Sequence, residues 1–176
     1  ASDSQVNKTR GMLAAITTNV VAASGAALDL WLVNEVVTDI ANAGGDISQL
    51  TMLVNGVNLL QLHGNAVEMG MEVGKRYMNA FGIQVRDLVL PIGTVLHFGI
   101  GAFLPDGVAL VYNPSVCGPV EQPVPGKGNF FREELAKDGA SYKYQIFGQI
   151  GLDHGLEWFH GKITGLSTTF TKPEGI

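Results

Sequence analysis

Residues 28–63 read LDLWLVNEVVTDIANAGGDISQLTMLVNGVNLLQLH, and this stretch decides the fold class. Leu32, Val33, Val36, Val37 and Ile40 recur at the i, i+3, i+4 spacing of one helical face, with Asn34, Glu35, Thr38, Asp39 and Asn42 opposite. A helix is therefore expected over 28–43. Gly44-Gly45 supplies its stop, because a left-handed residue just past the last turn costs glycine nothing. The short apolar run 50–54 follows. Behind it Asn55 can accept a bond from an orphan amide and cap a second helix through about residue 63. The order is helix, turn, strand, helix.

Working outward, Met12, Leu13, Ile16 and Val20 suit a short helix or a packed strap, which Ala22-Ala23-Ser24-Gly25 breaks. Residues 66–80 leave loop and helix equally open, since Val67, Met71 and Met78 line a face that Gly70 and Gly74 weaken. Strand-like runs begin after Phe81, at 83–90 and 94–98, punctuated by Pro91 and Gly93. Leu104-Pro105-Asp106-Gly107 turns the chain into a strand at 108–112 that Asn113-Pro114 ends. Between Pro114 and Gly128 lie four prolines and three glycines, a composition expected to cross the surface as a loop without regular structure. It divides the chain into two parts, 1–125 and 126–176. In the second part 130–136 is amphipathic and charged. Residues 142–151 and 156–166 read as two long strands paired around Asp153-His154-Gly155, and the tail after Thr168 reads as frayed. No internal repeat is visible, so solenoids and propellers are not supported.

Composition bounds the function. The 176 residues suit one compact domain or a piece of a larger one. With 46% hydrophobic residues and a mean hydropathy of +0.21, the chain is not of the disordered class. Lys and Arg number 11 against 16 Asp and Glu, a formal charge of -5, which argues against a dedicated nucleic-acid binder. Charged residues make up 15%, well below the roughly 25% usual for soluble domains, so part of the surface is expected to be covered by another protein. Cys117 stands alone and cannot form an internal disulfide, which makes cytoplasmic folding the simplest inference. No apolar run approaches the about 18 residues of a membrane span, and Ala1-Ser2-Asp3-Ser4 lacks the features of a secretory signal. No membrane partner is expected.

The best metal pattern is His154, Glu157 and His160, with Asp153 adjacent. On a helix the spacing of three would stack these side chains on one face, whereas on a strand it points them to opposite sides. Trp158, Phe159 and Ile163 with Gly155 and Gly161 favour strand, so no metal is assigned. Cys117 sits in Ser115-Val116-Cys117-Gly118-Pro119, without the signature of an activated thiol, and reads as a structural or surface thiol. Gly99-Ile100-Gly101 lacks the third glycine and the lysine of a phosphate loop and reads as a flexible turn. Glu133, Glu134 and Asp138 lie beside Arg132 and Lys137, a mixed cluster that suits a solvated or intersubunit face better than an acid/base pair. Phe130, Phe131, Tyr142, Tyr144, Phe147, Trp158 and Phe159 are expected mostly in core or sheet packing, with a share as contact anchors.

Taken in order, six motifs resemble one family: Thr9-Arg10-Gly11-Met12-Leu13; Ile16-Thr17-Thr18-Asn19; Ala43-Gly44-Gly45-Asp46; Phe103-Leu104-Pro105-Asp106; the stretch from Phe131 to Gly139, FREELAKDG; and His160-Gly161-Lys162-Ile163-Thr164-Gly165-Leu166. They are similar to the tailed-bacteriophage major head (capsid) proteins, with the Arg-Glu-Glu-Leu-Ala-Lys stretch the most specific. The resemblance implies an α+β fold of the Hong Kong 97 type, with axial-domain helices on a central sheet and long peripheral-domain strands. Residues 1–125 would form the lead-in and axial-type part, and 126–176 the strands returning to the peripheral-type part. Members are longer, and an N-terminal arm, extended loop and spine helix would precede Thr9, so the sequence is expected to be the C-terminal portion of such a subunit. Residues 66–82 do not match the more polar segment expected there.

The implied function is structural: a subunit that self-assembles, through pentamers and hexamers, into an icosahedral shell around DNA. It carries no catalytic site and no cofactor. Its partners would be copies of itself, other virion proteins and, non-specifically, packaged DNA; its place would be the virion, assembled in the host cytoplasm. Subunit contacts are expected at Arg132, Glu133, Glu134 and Lys137. One alternative is an encapsulin-like compartment shell around cargo enzymes. Another is a small metal- or ligand-binding enzyme domain using His154, Glu157 and His160.

Overall fold

The computed structural model describes residues 10–68, 76–78 and 84–170. Its elements are, in chain order, α1 (Met12–Ala15), β1 (Val20–Ala22), α2 (Leu30–Asn42), β2 (Thr51–Val54), α3 (Gly56–Glu68), β3 (Arg76–Met78), β4 (Gln84–Val89), β5 (Val95–Ile100) and β6 (Ala109–Tyr112). There follow β7 (Gly118–Glu121), β8 (Phe130–Asp138), β9 (Ser141–Gly148), β10 (Ile150–Asp153) and β11 (Gly161–Thr164), with 3-10 turns at Pro114–Val116 and Glu157–Phe159.

The two central helices start and stop for local reasons. Asp29 Oδ1 accepts the Leu32 amide at 2.8 Å to cap α2, and Asn55 Oδ1 accepts the Asn58 amide at 2.9 Å to cap α3. At the far end of α2, Gly44 takes φ 86° and the Gly45 amide reaches back to the Ile40 carbonyl at 2.8 Å, a Schellman closure. The apolar face of α2 is fully buried at Val33, Val36, Val37 and Ile40, while Trp31 on the opposite side is 73% exposed. Burying each aliphatic side chain of this kind stabilises the fold by roughly 1.5–3 kcal/mol.

That face lies on a seven-stranded sheet of order β1-β11-β6-β2-β5-β4-β3. The pairs β1–β11 and β2–β5 are parallel and the rest antiparallel. Met52, Val54, Leu96, Phe98, Val111 and Ile163 meet the helices in one core. The contact is close at Gly161, where a Cβ would stand 2.6 Å from Val36 Cγ2 and 3.2 Å from Ile40 Cδ1. Of the two parts expected from the sequence, the second contributes β11 to the sheet of the first, between β1 and β6.

Several expectations are corrected. The strands read at 142–151 and 156–166 do not pair with each other. Strand β9 pairs with β8 around Gly139, which takes φ 78°, so the nearer Asp138-Gly139 turn captures the hairpin. Strand β10 pairs with β7, from Ile150↔Glu121 to Asp153↔Gly118, and residues 157–159 form a turn before β11 enters the central sheet. The proline-rich segment is thus partly regular: Pro119 is tolerated in β7 because that strand lies at an edge. Gly99 and Ile100 lie in β5, and the turn begins only at Gly101, where the Leu104 amide donates back to the Gly101 carbonyl at 3.1 Å. A Cβ would stand 3.0 Å from Leu53 Cδ2 at Gly99 and 2.6 Å from Leu104 Cδ1 at Gly101, so both are packing glycines. Helix α3 runs past residue 63 to Glu68. The rest of the segment left open at 66–80 falls largely outside the described residues. The tail is held as far as Thr169, whose carbonyl accepts Gln61 Nε2 at 2.8 Å.

Candidate functional site

The candidate contact residues lie on the β8–β9 hairpin. Its alternation divides them. Arg132 and Glu134 share a face with Tyr144 and Ile146, the register pairs being Arg132↔Ile146 and Glu134↔Tyr144. Glu133 faces the other way with Phe131, Gln145 and Phe147. A register shift between Leu135 and Asp138 lets Lys137 return to the first face, where its Nζ stands 4.0 Å over the Tyr142 ring.

Both faces are built from rings and charges. The Arg132 guanidinium lies 3.7 Å over the Tyr144 ring. On the reverse, Phe131 and Phe147 pack at 5.5 Å between ring centroids, and Lys127 Nζ stands 4.7 Å over Phe131 while pairing with Glu133 Oε1 at 2.7 Å. Gln145 Nε2 donates to the other Glu133 oxygen at 2.9 Å. The bond from Lys127, then that from Gln145, holds the Glu133 carboxyl below the usual range. Each exposed cation–π contact contributes about 0.5–1 kcal/mol, enough to order the side chains but not to anchor a hairpin.

The hairpin stands away from the core. Ile146 is 81% exposed, and Phe130, Leu135, Tyr142, Tyr144 and Phe147 are exposed as well. Of the expectation that most late aromatics pack in the core or on a sheet, the core part is corrected, since none of Phe130, Phe131, Tyr142, Tyr144, Phe147, Trp158 and Phe159 is buried; the first five sit on the hairpin sheet, where Phe131 packs on Phe147. Three cations (Arg132, Lys137, Lys143) and three carboxylates (Glu133, Glu134, Asp138) leave this hairpin formally neutral. Such a surface offers no net attraction to phosphates or to an anionic membrane.

The second candidate, His154, Glu157 and His160, is not gathered into a ligand set. His160 is fully buried; its Nδ1 accepts the Asn113 amide at 3.2 Å and its Nε2 lies 2.6 Å from the His154 carbonyl. A carbonyl cannot donate, so Nε2 carries the proton and Nδ1 is the bare nitrogen, already engaged. Glu157 turns elsewhere. Its carboxylate accepts the Thr17 amide at 2.8 Å, the Thr18 amide at 3.2 Å and the Thr18 hydroxyl, and these bonds, the Thr17 amide first, lower its pKa. His154 Nδ1 lies 3.0 Å from the Gly155 carbonyl. Among the described residues no group of three or more His, Cys, Asp or Glu could hold a metal ion. Burial first, then the Asp153 charge, raises the half-buried Cys117 thiol, whose Sγ lies 3.4 Å from the Asn113 carbonyl.

What sequence reasoning missed is Asn113, read there only as a strand end. Its amide goes to His160, its Nδ2 to the Asp46 carbonyl at 3.0 Å, and its Oδ1 takes the Ser115 amide and hydroxyl. The Asn-Pro pair was the available signal. Lys127, Tyr142 and Tyr144 were missed as the partners of the charged strip, although Tyr-Lys-Tyr alternation in β9 announces two rings on one face.

With this geometry described, the chain can be set beside known proteins. A family model described as SU10 major capsid protein matches residues 1–167. Among solved structures, the chain is similar to one from the holo-SrpI encapsulin complex of Synechococcus elongatus PCC 7942. The TM-score is 0.68 at 13% identity, over 91% of this chain and 57% of that one. It is also similar to a chain from Mycobacterium phage Patience, with a TM-score of 0.56 at 10% identity, over 89% of this chain and 50% of that one. The chain therefore spans about half the length of these structures, and the likeness is one of fold. No curated protein matches.

Proposed function

As the chain belongs to the SU10 major capsid protein family, we propose that it is the shell-forming part of a capsid subunit whose copies, as pentamers and hexamers, close an icosahedral phage head around DNA. Its α+β architecture is the Hong Kong 97-type fold shared with the encapsulin and phage chains. The observation that carries the reading is the β8–β9 hairpin, which presents Ile146, Tyr142, Tyr144 and Phe130 to water. A two-stranded hairpin is marginal by itself in water, and a second copy that covered these residues would stabilise both. Arg132, Glu133, Glu134 and Lys137 would then set register rather than strength, because rim charges act on orientation more than on affinity. Closed symmetry repeats each modest contact, so the shell is stable although one interface is weak.

On this reading the chain acts without a catalytic step, in the virion, having assembled in the host cytoplasm. Its partners are its own copies and other virion proteins, and its neutral hairpin and formal charge of -5 leave DNA to non-specific contact. Light scattering and electron microscopy of the purified chain, across concentration and salt, test it. Rings, sheets or closed particles are expected; a monomer at every concentration would count against the shell reading for this part of the subunit. An encapsulin-like compartment is the second reading, because the fold is shared with the encapsulin chain as well as with the phage chain. Protein cargo in place of DNA inside the particles would select it.

A further inference from the structure

We infer that His160 is an acid-sensitive pin holding the outlying strands β7 to β10 to the central sheet, and that protonation of its ring releases them. The chain leaves the sheet at the end of β6 and returns at the start of β11, and all four outlying strands lie between. The bond from the Asn113 amide to His160 Nδ1, 3.2 Å long, joins the point of departure to the point of return. Asn113 is itself fixed to the α2–β2 connection through the Asp46 carbonyl, and to the first outlying turn through Ser115 and Cys117. His160 Nε2 grips the other limb at the His154 carbonyl, 2.6 Å away. One neutral imidazole thus clasps both limbs.

A second proton has one place to go, Nδ1, where it would meet the Asn113 N–H head on. The bond would be lost and a cation left in a site with no solvent exposure. The groups facing the ring do not neutralise that cation. The His154 ring stands edge-on at 6.2 Å and Glu157 is turned to Thr17 and Thr18. From the other elements, Asp46 is taken by the Ser48 amide, Lys162 of β11 donates to the Leu13 carbonyl, and Asp153 accepts the Gly155 amide. Tyr112 ends β6, and Cys117 is held by Asn113. Burial, with the His154 charge in support, lowers the His160 pKa, against opposing effects of the His154 carbonyl bond and Glu157. The sign follows: the clasp is complete above the ordinary histidine value of about 6.5 and is lost as pH falls through the lower folded value.

The test is nitrogen-edited NMR and hydrogen exchange on the full chain from about pH 7.5 to about pH 4.5. The ring should carry its proton on Nε2. After correction for intrinsic exchange, protection at Asn113 and in β7 and β10 should fall about tenfold or more as the ring titrates, while α2 amides hold. His160→Gln keeps an acceptor and a donor without the titration and should abolish that step; Glu157→Gln should keep the step and move it to lower pH. A ring protonated on Nδ1 at neutral pH, constant Asn113 protection through the His160 titration, or an unchanged step in His160→Gln would each overturn the inference. If His160→Gln does not fold, the tautomer and the Asn113 protection of the unaltered chain decide.

Discussion

Gly161 lies against Val36 with no room for a side chain between them: a Cβ there would stand 2.6 Å from Val36 Cγ2. The Val36 and Ile40 side chains of α2 therefore rest on the backbone of β11, and this sets the depth at which α2 sits on the sheet. Gly161→Ala should destabilise the chain by about 1–3 kcal/mol, the usual cost of overpacking. Urea denaturation checks it. The double variant with Val36→Ala should cost less than the sum of the two single losses, because the pair shares one space.

Glu157→Gln should cost about 1–2 kcal/mol at neutral pH, since a charged acceptor of two backbone amides becomes a neutral one. The folded pKa of Glu157 is depressed, so its contribution is present above the unfolded value and disappears as pH falls through the folded one. The stability gap between the unaltered chain and the variant should close in acid. A gap that widened there would show that Thr17 and Thr18 are not held by the carboxylate.

Gln61 accepts the Leu28 amide and the Asn58 side chain and donates to the carbonyls of Ser167 and Thr169. Gln61→Ala would leave the buried Leu28 amide unpaired and release the tail. We expect a loss of about 1–3 kcal/mol together with faster proteolysis after Leu166, read by limited digestion and mass spectrometry.

Ile146→Asp alters an exposed hairpin position and should leave the stability of the single chain within about 0.5 kcal/mol, whereas Arg132→Glu also loses the contact over the Tyr144 ring and should cost about 0.5–1 kcal/mol. Both should lower particle yield by scattering and microscopy, Ile146→Asp the more strongly. Glu133→Lys also loses the bonds to Lys127 and Gln145, so its assembly defect should come with a small stability loss. Unchanged particle yield with unchanged melting would count against the contact role of the hairpin.

The parts of the fold that were legible in sequence are those set by local chemistry. The α2 periodicity, the Asn55 cap and the Gly44-Gly45 stop each act within a few residues. Strand partners were not legible, because alternation says which residues share a face but not which strand lies beside it. Asp138-Gly139 and Asp153-His154-Gly155 are both turn signals, and only the structure shows that the first closes the hairpin. Gly99 looked loose because nothing in sequence brings Leu53 near it. At the site, the charged strip 132–137 was visible as a strip, but its division into two faces depends on a bulge that composition does not announce. Spacing grouped His160 with Glu157; in space one faces Asn113 and the other the Thr17-Thr18 strap.

The parallel pairing of β1 with β11 has a consequence for how the chain acquires its shape. Around that pair Asn19 Nδ2 bonds the Trp158 carbonyl across 139 residues of sequence. During synthesis β6 and β1 wait on either side of an empty slot, which only residues 161–164 fill. The order of events is imposed by topology: a ribosome must finish nearly all of this stretch before the sheet can close, and loop closure over such separations makes folding slow. Between the emergence of β6 and that of residues 161–164 the nascent chain therefore carries an open sheet edge, which is when an edge-capping chaperone would have something to bind.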